Sequence, residues 1–360
     1  MIGKKKFLLV VSTVLCNSFV AASFCDWKPI IYNSIKWTAA DQGVLTITYT
    51  TGRGITRVPI AYHGGVDTNA SGEITNKNIS HFTEWADETL PTNYCGPVVL
   101  DYEEPWWKEL QAKTILPDRL REILGVYSEG IRVAHNIRPS SQWGYWGLPL
   151  LRNTSESWTS QGLSLEPLIS SCNALYPDVY NCTPGLDRSR QAEQHISNVL
   201  QLAAGRMPVF VFASVRYCGP DVGHSDFVPD EIFLKQVNAA LRASWIDEFG
   251  NQHRIKGIIL WDNYGFSQES EWGSLDQKHK YYFELLEALS EAWEKSMKGK
   301  KVIVEPPKPE VCQYGLSEPA NSGETIFIRA NREQPQEMKE VIQENTRVPS
   351  GRVGGNRVTE

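Results

Sequence analysis

Short apolar runs recur along the chain, separated by longer stretches in which apolar positions return every three or four residues. The short runs predict strands at Pro29–Tyr32, Val44–Tyr49, Val98–Tyr102, Gln142–Gly147, Ala174–Tyr180, Val209–Val215 and Gly257–Trp261. The longer stretches predict amphipathic helices over Pro117–Asn136, Asp187–Ala204, Pro229–Phe249 and Gln277–Lys298. Arg57–Tyr62 reads as an extra strand or as part of a loop. Strands that alternate with helices favour a parallel sheet joined by crossover helices. The expected class is α/β, as a distorted, TIM-like (β/α) barrel of about seven parallel strands, with an open doubly wound sheet as the rival. Neither a G-x-G-x-x-G nor a G-x-x-x-x-G-K-[ST] loop follows any of these strands, which counts against nucleotide-binding versions of the open sheet.

The two ends differ from this body. Lys4, Lys5 and Lys6 precede a mostly apolar run, Phe7 to Val20, and Val20-Ala21-Ala22-Ser23 offers small residues for cleavage. Residues 1–23 therefore read as a signal peptide, with an uncleaved anchor as the alternative; Ser12, Thr13, Asn17 and Ser18 dilute the run as a membrane span. No second hydrophobic stretch of spanning length follows, so the expectation is a secreted, extracellular protein without an integral membrane segment once that peptide is removed. Residues 24–312 carry the barrel pattern. Residues 313–360 are polar, rich in Gly, Pro and charge, and predict a disordered tail.

Composition sharpens this only in places. The chain has 360 residues, a 41% hydrophobic fraction and a net charge of -6, with no long basic run in its body, so nothing points to nucleic acid. A monomer is the expected state. Twelve Trp and fourteen Tyr are more informative, since flat amphipathic rings line sugar sites as well as cores. Loss of the signal peptide removes Cys16 and leaves Cys25, Cys95, Cys172, Cys182, Cys218 and Cys312, an even number that predicts disulfides in an exported chain. Six cysteines permit 15 pairings, and a bridge between Cys25 and Cys312 would tie the two ends of the body together. No clustered His/Cys spacing suggests a metal site, and no cofactor is expected. Asn69, Asn78, Asn153 and Asn181 each open an N-x-S/T sequon.

The candidate chemistry begins at "GPVVLDYEEPWW", residues 96–107, where an apolar strand runs into Asp101, Tyr102, Glu103 and Glu104. Alternation along a strand puts Asp101 and Glu103 on one side and Tyr102 on the other. In a β/α barrel the C-terminal strand ends open onto the ligand face. Two carboxyl groups held close there resist double ionisation, so one keeps its proton well above its ordinary pKa and can serve as a general acid at neutral pH. The plainer reading is a strand end with solvated acids, Glu104 opening a helix. Other strand ends favour chemistry: Trp143, Tyr145 and Trp146 close one, Tyr176 and Tyr180 another, Arg216 and Tyr217 a third, and Trp261, Asp262, Asn263 and Tyr264 a fourth. Aromatic and polar groups gathered in this way suit a carbohydrate cleft.

"VVLDYEEPWW", "IRPSSQWGYWGLP", "SCNALYPDVY", "MPVFVFASVRY" and "GIILWDN", in that order, resemble the strand signatures of the hyaluronidases of glycoside hydrolase family 56, over roughly residues 95 to 265. The resemblance implies a distorted seven-stranded β/α barrel and an endo-β-N-acetylhexosaminidase that cuts hyaluronan or chondroitin, a glycosaminoglycan polysaccharide. It implies Glu103 as proton donor, Asp101 as the group that positions and polarises the substrate acetamido group, and Tyr180 as a hydroxyl that holds that group. The acetamido oxygen is then the internal nucleophile, one of the exceptions to the two-carboxylate scheme. Trp261 becomes a wall of the cleavage subsite, and Trp146, Tyr145, Tyr176, Tyr217 and Asp262 complete the expected substrate-binding set.

The chain also departs from the family pattern. Trp146 stands where the family places a functional tyrosine, Leu150 occupies the region of a family cysteine, and the segment from Glu103 to Trp143 is short. "WDN" replaces the family's small residues after the tryptophan, and the Cys-rich module of animal members is absent. Two alternatives follow: a barrel that binds glycans without cutting them, and a hydrolase of neutral, chitin-like N-acetylglucosamine polymers.

Overall fold

A computed structural model describes residues 27–218 and 226–298. The expected signal peptide, the tail, Cys25 and Cys312 lie outside the described residues. In chain order the elements are β1 (Ile30–Asn33), α1 (Val44–Gly52), β2 (Ile60–Ala61), α2 (Asn76–Thr89), β3 (Pro97–Leu100), α3 (Trp107–Leu110), α4 (Pro117–Ile137) and β4 (Gln142–Tyr145). There follow α5 (Glu156–Thr159), α6 (Glu166–Ile169), α7 (Ser189–Ala203), β5 (Phe210–Ser214), α8 (Asp230–Arg242), β6 (Trp245–Ile246), β7 (Gln252–His253), β8 (Gly257–Trp261) and α9 (Trp272–Met297).

The main strands pair in parallel, in two sheets ordered β1-β8-β5 and β2-β3-β4. Backbone bonds link the sheets along both sides. On one side Asn33 N–H donates to the Thr56 carbonyl at 2.9 Å and Val58 N–H to the Asn33 carbonyl at 2.9 Å. On the other, Gly147 N–H reaches the Tyr176 carbonyl at 2.8 Å, and Phe210 and Phe212 donate to Leu175 and Pro177, each at 2.9 Å. The segment 174–180, expected as a strand, thus bridges β4 and β5 through isolated pairs, Trp146 with Tyr176, Leu175 with Val209 and Asp178 with Phe212. Pro177 has no N–H to give a ladder, which keeps the segment from becoming regular strand. Its approach to β4 requires Gly144, where a Cβ would come within 2.2 Å of the Ala174 carbonyl oxygen.

Alternation separates two apolar regions. One face of the strands gathers Tyr32, Val58, Ile60, Val99, Ala174, Tyr176, Phe210, Phe212 and Ile259, with Tyr62, Trp146, Tyr180 and Trp261 half-buried against them. The opposite faces, with Ile31, Val98, Leu100, Val211 and Leu260, pack on the surrounding helices in a larger core. Burial of these apolar surfaces drives the assembly.

Two expected elements change and one unexpected helix appears. Val44–Tyr49, a β-branched run expected as a strand, is the body of α1. Asp276 of α9 caps it: the carboxylate accepts the N–H groups of Leu45 and Thr46 at 2.8 Å each and the Thr46 hydroxyl at 2.6 Å. Those bonds and the contact with α9 outweigh a weak local preference. The helix expected over Pro229–Phe249 stops at Arg242, and the rest forms the β6–β7 hairpin, whose turn is held by Asp247 accepting from Phe249 N–H and Asn251 N–H at 3.0 and 2.8 Å. The helix α2, absent from the sequence expectation, starts at a capping box in which Thr75 and Asn78 bond each other's backbone.

Cys182 and Cys218 form a disulfide that ties the end of segment 174–180 to the end of β5. Cys95 and Cys172 are buried, and burial pushes the Cys172 thiol up to about 12. Of the four sequon asparagines only Asn69 is exposed. Asn78, Asn153 and Asn181 are buried, and their amides donate to Asn69 Oδ1 and to the Leu110 and Leu186 carbonyls. No helix among the described residues is long and apolar enough to cross a membrane.

Candidate active site

The side chains above the inner apolar face come from successive strand ends. Asp101 and Glu103 follow β3, Trp146 follows β4, Asp178 and Tyr180 belong to the bridging segment, Trp261 ends β8, Lys36 follows β1, and Tyr62 follows β2. Tyr180 is their centre. Its ring stacks on Trp261 with centroids 5.8 Å apart at 23° and tilts against Trp146 at 5.8 Å. Trp146 stacks in turn on Trp107 at 5.3 Å and 18°. That stack needs Gly147, where φ is 70° and a Cβ would meet Trp107 at 2.6 Å. The result is a cleft lined by aromatic faces, the kind of surface on which pyranose rings stack.

Three carboxyl groups share this cleft, all half-buried. Burial pushes Glu103 up to about 7, and the charges of Asp101, Asp178 and the exposed Glu104 act in the same direction. Burial raises Asp101 to about 6, opposed by the positive charge of Lys36. Asp178 is also raised by burial to about 6, while a bond from Tyr180 N–H to its Oδ1 at 3.0 Å pulls the other way. Lys36 lies 4.1 Å from the centre of the Tyr62 ring, and burial lowers its own pKa. The Tyr180 hydroxyl is shielded from solvent and its proton finds no acceptor among the described residues, while the Trp146 indole N–H bears on its oxygen. An unsatisfied buried hydroxyl is costly, and such a group is ready for an incoming partner. The arrangement holds a protonated acid near neutral pH beside a second acid that ionises lower, with a hydroxyl free to bond a ligand.

The structure brings Asp101, Glu103, Tyr180, Trp146 and Trp261 together. It places four other candidates in the interior. Tyr145 has the opposite parity from Trp146; it is buried with its hydroxyl donating to the Tyr127 carbonyl at 2.9 Å. Tyr176 is a layer below Tyr180 on the same face, and its hydroxyl donates to the Gln142 carbonyl at 2.5 Å. Tyr217 is buried in the outer core. Asp262 is fully buried, accepting from Arg216 Nε at 2.9 and 3.1 Å and sharing a 2.7 Å bond with His279. The strand-end pattern that singled these four out does not separate the two faces of a strand end, nor, for Tyr176, the mouth of the cleft from the layer below it. Trp106, beside the acids, is buried and its indole donates to the Tyr102 hydroxyl at 3.1 Å.

Sequence reasoning missed Lys36, Tyr62 and Asp178. Parity was the available signal. Tyr62 continues Val58 and Ile60, and Asp178 sits between Tyr176 and Tyr180 on the inward side. Among the described residues no cluster of His, Cys, Asp and Glu has metal-binding geometry.

No family model matches the chain, and no curated protein matches it by sequence. Among solved structures, bee venom hyaluronidase in a monoclinic crystal form is 13% identical over 74% of this chain and 100% of that one, with a TM-score of 0.49. Bee venom hyaluronidase in complex with a hyaluronic acid tetramer is 13% identical over 69% of this chain and 95% of that one, with a TM-score of 0.50. At this identity the likeness is one of fold, so the parallel sheets and helices described above form a hyaluronidase-like α/β fold.

Proposed function

We propose that the chain is a secreted endo-β-N-acetylhexosaminidase of the hyaluronidase type, acting on glycosaminoglycan chains by substrate-assisted, retaining hydrolysis. The observation that carries this reading is Glu103, raised to about 7 beside Asp101 in a cleft walled by Trp146, Tyr180 and Trp261. The backbone bonds that join the two sheets on both sides support a distorted seven-stranded barrel with this cleft at its C-terminal mouth. The apolar, lysine-led start of the sequence supports export.

In this reading Glu103 protonates the glycosidic oxygen as the bond to the leaving sugar breaks. The substrate's acetamido oxygen closes on the anomeric carbon and forms a cyclic oxazolinium. Asp101 accepts the acetamido N–H and offsets the positive charge that develops there, while the Tyr180 hydroxyl donates to the acetamido oxygen. Water then opens the ring, giving its proton to Glu103, so the configuration at the anomeric carbon is retained. Trp261 and Trp146 hold the sugar rings by stacking. The net balance is one water consumed and one glycosidic bond cleaved.

A second reading, a hydrolase of neutral N-acetylglucosamine polymers, draws on the charge of the cleft, where Asp101, Glu103 and Asp178 gather and, among the described residues, Lys36 is the cation that acts on Asp101. Reducing-end release from hyaluronan, unsulfated chondroitin and chitin oligomers, with Glu103→Gln in parallel, separates the two. Release that the variant abolishes supports hydrolysis and identifies the polymer. Binding without release across pH 3 to 8 would replace both with a glycan-binding barrel, and Trp146→Tyr would then be the first variant to restore a hydroxyl.

A further inference from the structure

We propose that Asp178 is a third acid of the site, a positioning residue held beside the Asp101–Glu103 pair whose negative charge keeps the donor proton on Glu103. This deepens the proposed function and rests on its reading of Glu103 as the proton donor. The placement comes from the backbone. Asp178 pairs with Phe212 of β5 in a parallel bridge, and Val179 N–H fixes the register by donating to the Phe212 carbonyl at 2.9 Å. Alternation then turns Asp178 to the same side as Tyr176 below it and Tyr180 above it. Its Oδ1 accepts Tyr180 N–H at 3.0 Å, so the carboxylate that acts on Glu103 is anchored to the residue whose ring closes the cleft. The disulfide between Cys182 and Cys218 begins two residues beyond Tyr180 and ties this segment's end to β5.

Among the described residues, the titratable groups around the acids of the cleft come from several packed elements. Lys36 follows β1, Arg57 and Tyr62 flank β2, and Asp101 and Glu104 bracket Glu103. Tyr127 comes from α4, Tyr180 from the bridging segment, and His63, whose pKa is lowered by burial and by Lys36, lies beyond β2. Lys36 acts on Asp101, whereas burial and the charges of Asp101, Asp178 and Glu104 all push Glu103 one way. Burial raises both acids, but backbone N–H bonds oppose it at Asp178 whereas neighbouring carboxylate charges add to it at Glu103, so Glu103 is the acid held toward its neutral form. A like charge near an acid delays that acid's ionisation. Asp178 therefore does by proximity what Glu104, in open solvent, does weakly through screening water.

The test follows Glu103 directly by NMR of the full chain labelled with carbon-13 at the glutamate carboxyl carbons, its resonance identified by its loss in Glu103→Gln. In Asp178→Asn, which keeps an oxygen to accept Tyr180 N–H, the Glu103 midpoint is expected to fall by about half a pH unit or more. Asp178→Ser removes the charge with a different side chain and is expected to move it the same way, while Asp178→Glu is expected to leave it near the parent value. Melting curves and the amide spectrum establish that each variant is folded. If the chain hydrolyses a polymer, the alkaline limb of kcat/KM moves down with the NMR midpoint. A midpoint unchanged in every folded charge-removing variant, or equally lowered in Asp178→Glu, would overturn the proposal. If the NMR midpoint moves but no polymer is cut by any variant or by the parent, Asp178's role stands and the hydrolase reading fails.

Discussion

Glu103 is pressed by burial and by every neighbouring carboxylate toward its neutral form, and that has a consequence for stability as well as for chemistry. Its ordinary pKa is 4.5 and its folded value about 7. Below the lower figure both folded and unfolded chains hold the proton. Between the two, the unfolded chain releases it while the folded chain retains it, so stability falls as pH rises and levels off above about 7. Glu103→Gln removes this loss. Its melting temperature is expected to exceed the parent's by a larger margin at pH 8 than at pH 4.5, and a margin independent of pH would show that the carboxyl is not held in this environment. Tyr180→Phe makes the complementary point. Its hydroxyl donates to no acceptor among the described residues, so deleting it leaves stability within about 1 kcal/mol of the parent. Turnover is expected to fall about 10- to 1000-fold, the effect of losing one transition-state hydrogen bond. Equal turnover in the two proteins, measured as reducing ends released, would remove Tyr180 from the mechanism. At this scale the residues on the inward parity of strands with clean alternation were legible, Asp101 and Glu103 above all. Tyr145 and Asp262 were misread because aromatic and acidic residues on the outward parity of the same strand ends find buried partners in Tyr127, Arg216 and His279.

Elements were legible where local pattern and tertiary context agree. The strand Gly257–Trp261 and the start of α4 at Pro117 fall where apolar runs and helix-start chemistry put them. They failed where a distant residue decides, and α1 is the clearest case. Nothing within Val44–Tyr49 signals a helix; the signal is Asp276, which lies 230 residues from Thr46. The carboxylate takes two backbone N–H groups and the Thr46 hydroxyl, all of which lose their partner together if it is removed. Asp276→Ala is expected to destabilise the chain by about 2–4 kcal/mol, more than an ordinary helix cap, because Thr46, which supplies two of the donors, is buried and the acceptor is charged. Asp276→Asn is expected to recover part of that loss. Chemical denaturation reads both, and a cost under about 0.5 kcal/mol for Asp276→Ala would show that α1 holds by its contact with α9 alone. Segment 174–180 failed for the opposite reason. Its alternation is real and turns Tyr176, Asp178 and Tyr180 to one side, but Pro177 breaks the ladder that would make it regular strand, so it pairs only through isolated bridges.

Across the whole molecule, the sheets converge their inward strand ends on one cleft and concentrate acid there in a chain whose net charge is already -6. Among the described residues, Lys36 is the cation that acts on these acids, and it acts on Asp101. The arrangement sets a window of activity. Asp101 must be ionised to accept an acetamido N–H, which requires pH above about 6. Glu103 must be protonated to donate, which requires pH below about 7. The profile of kcat/KM, which reports the free protein's acid and base, is therefore expected to be a narrow bell centred between these values and to fall about tenfold per pH unit on either side. Removing the positive charge in Lys36→Met leaves burial to act on Asp101 unopposed, so the acidic limb is expected to move up and the bell to narrow further. The alkaline limb is expected to stay, because Lys36 is not among the charges acting on Glu103. Profiles of the parent and Lys36→Met on whichever polymer is cut check both limbs. A shift of both limbs together would mean that the acids titrate as one coupled unit and not as a base and an acid with separate tasks. A parent optimum below pH 5 would mean that the cleft is wetter in solution than the burial of its carboxyl groups implies, and Glu103 would then owe its proton to the bound sugar and not to the fold.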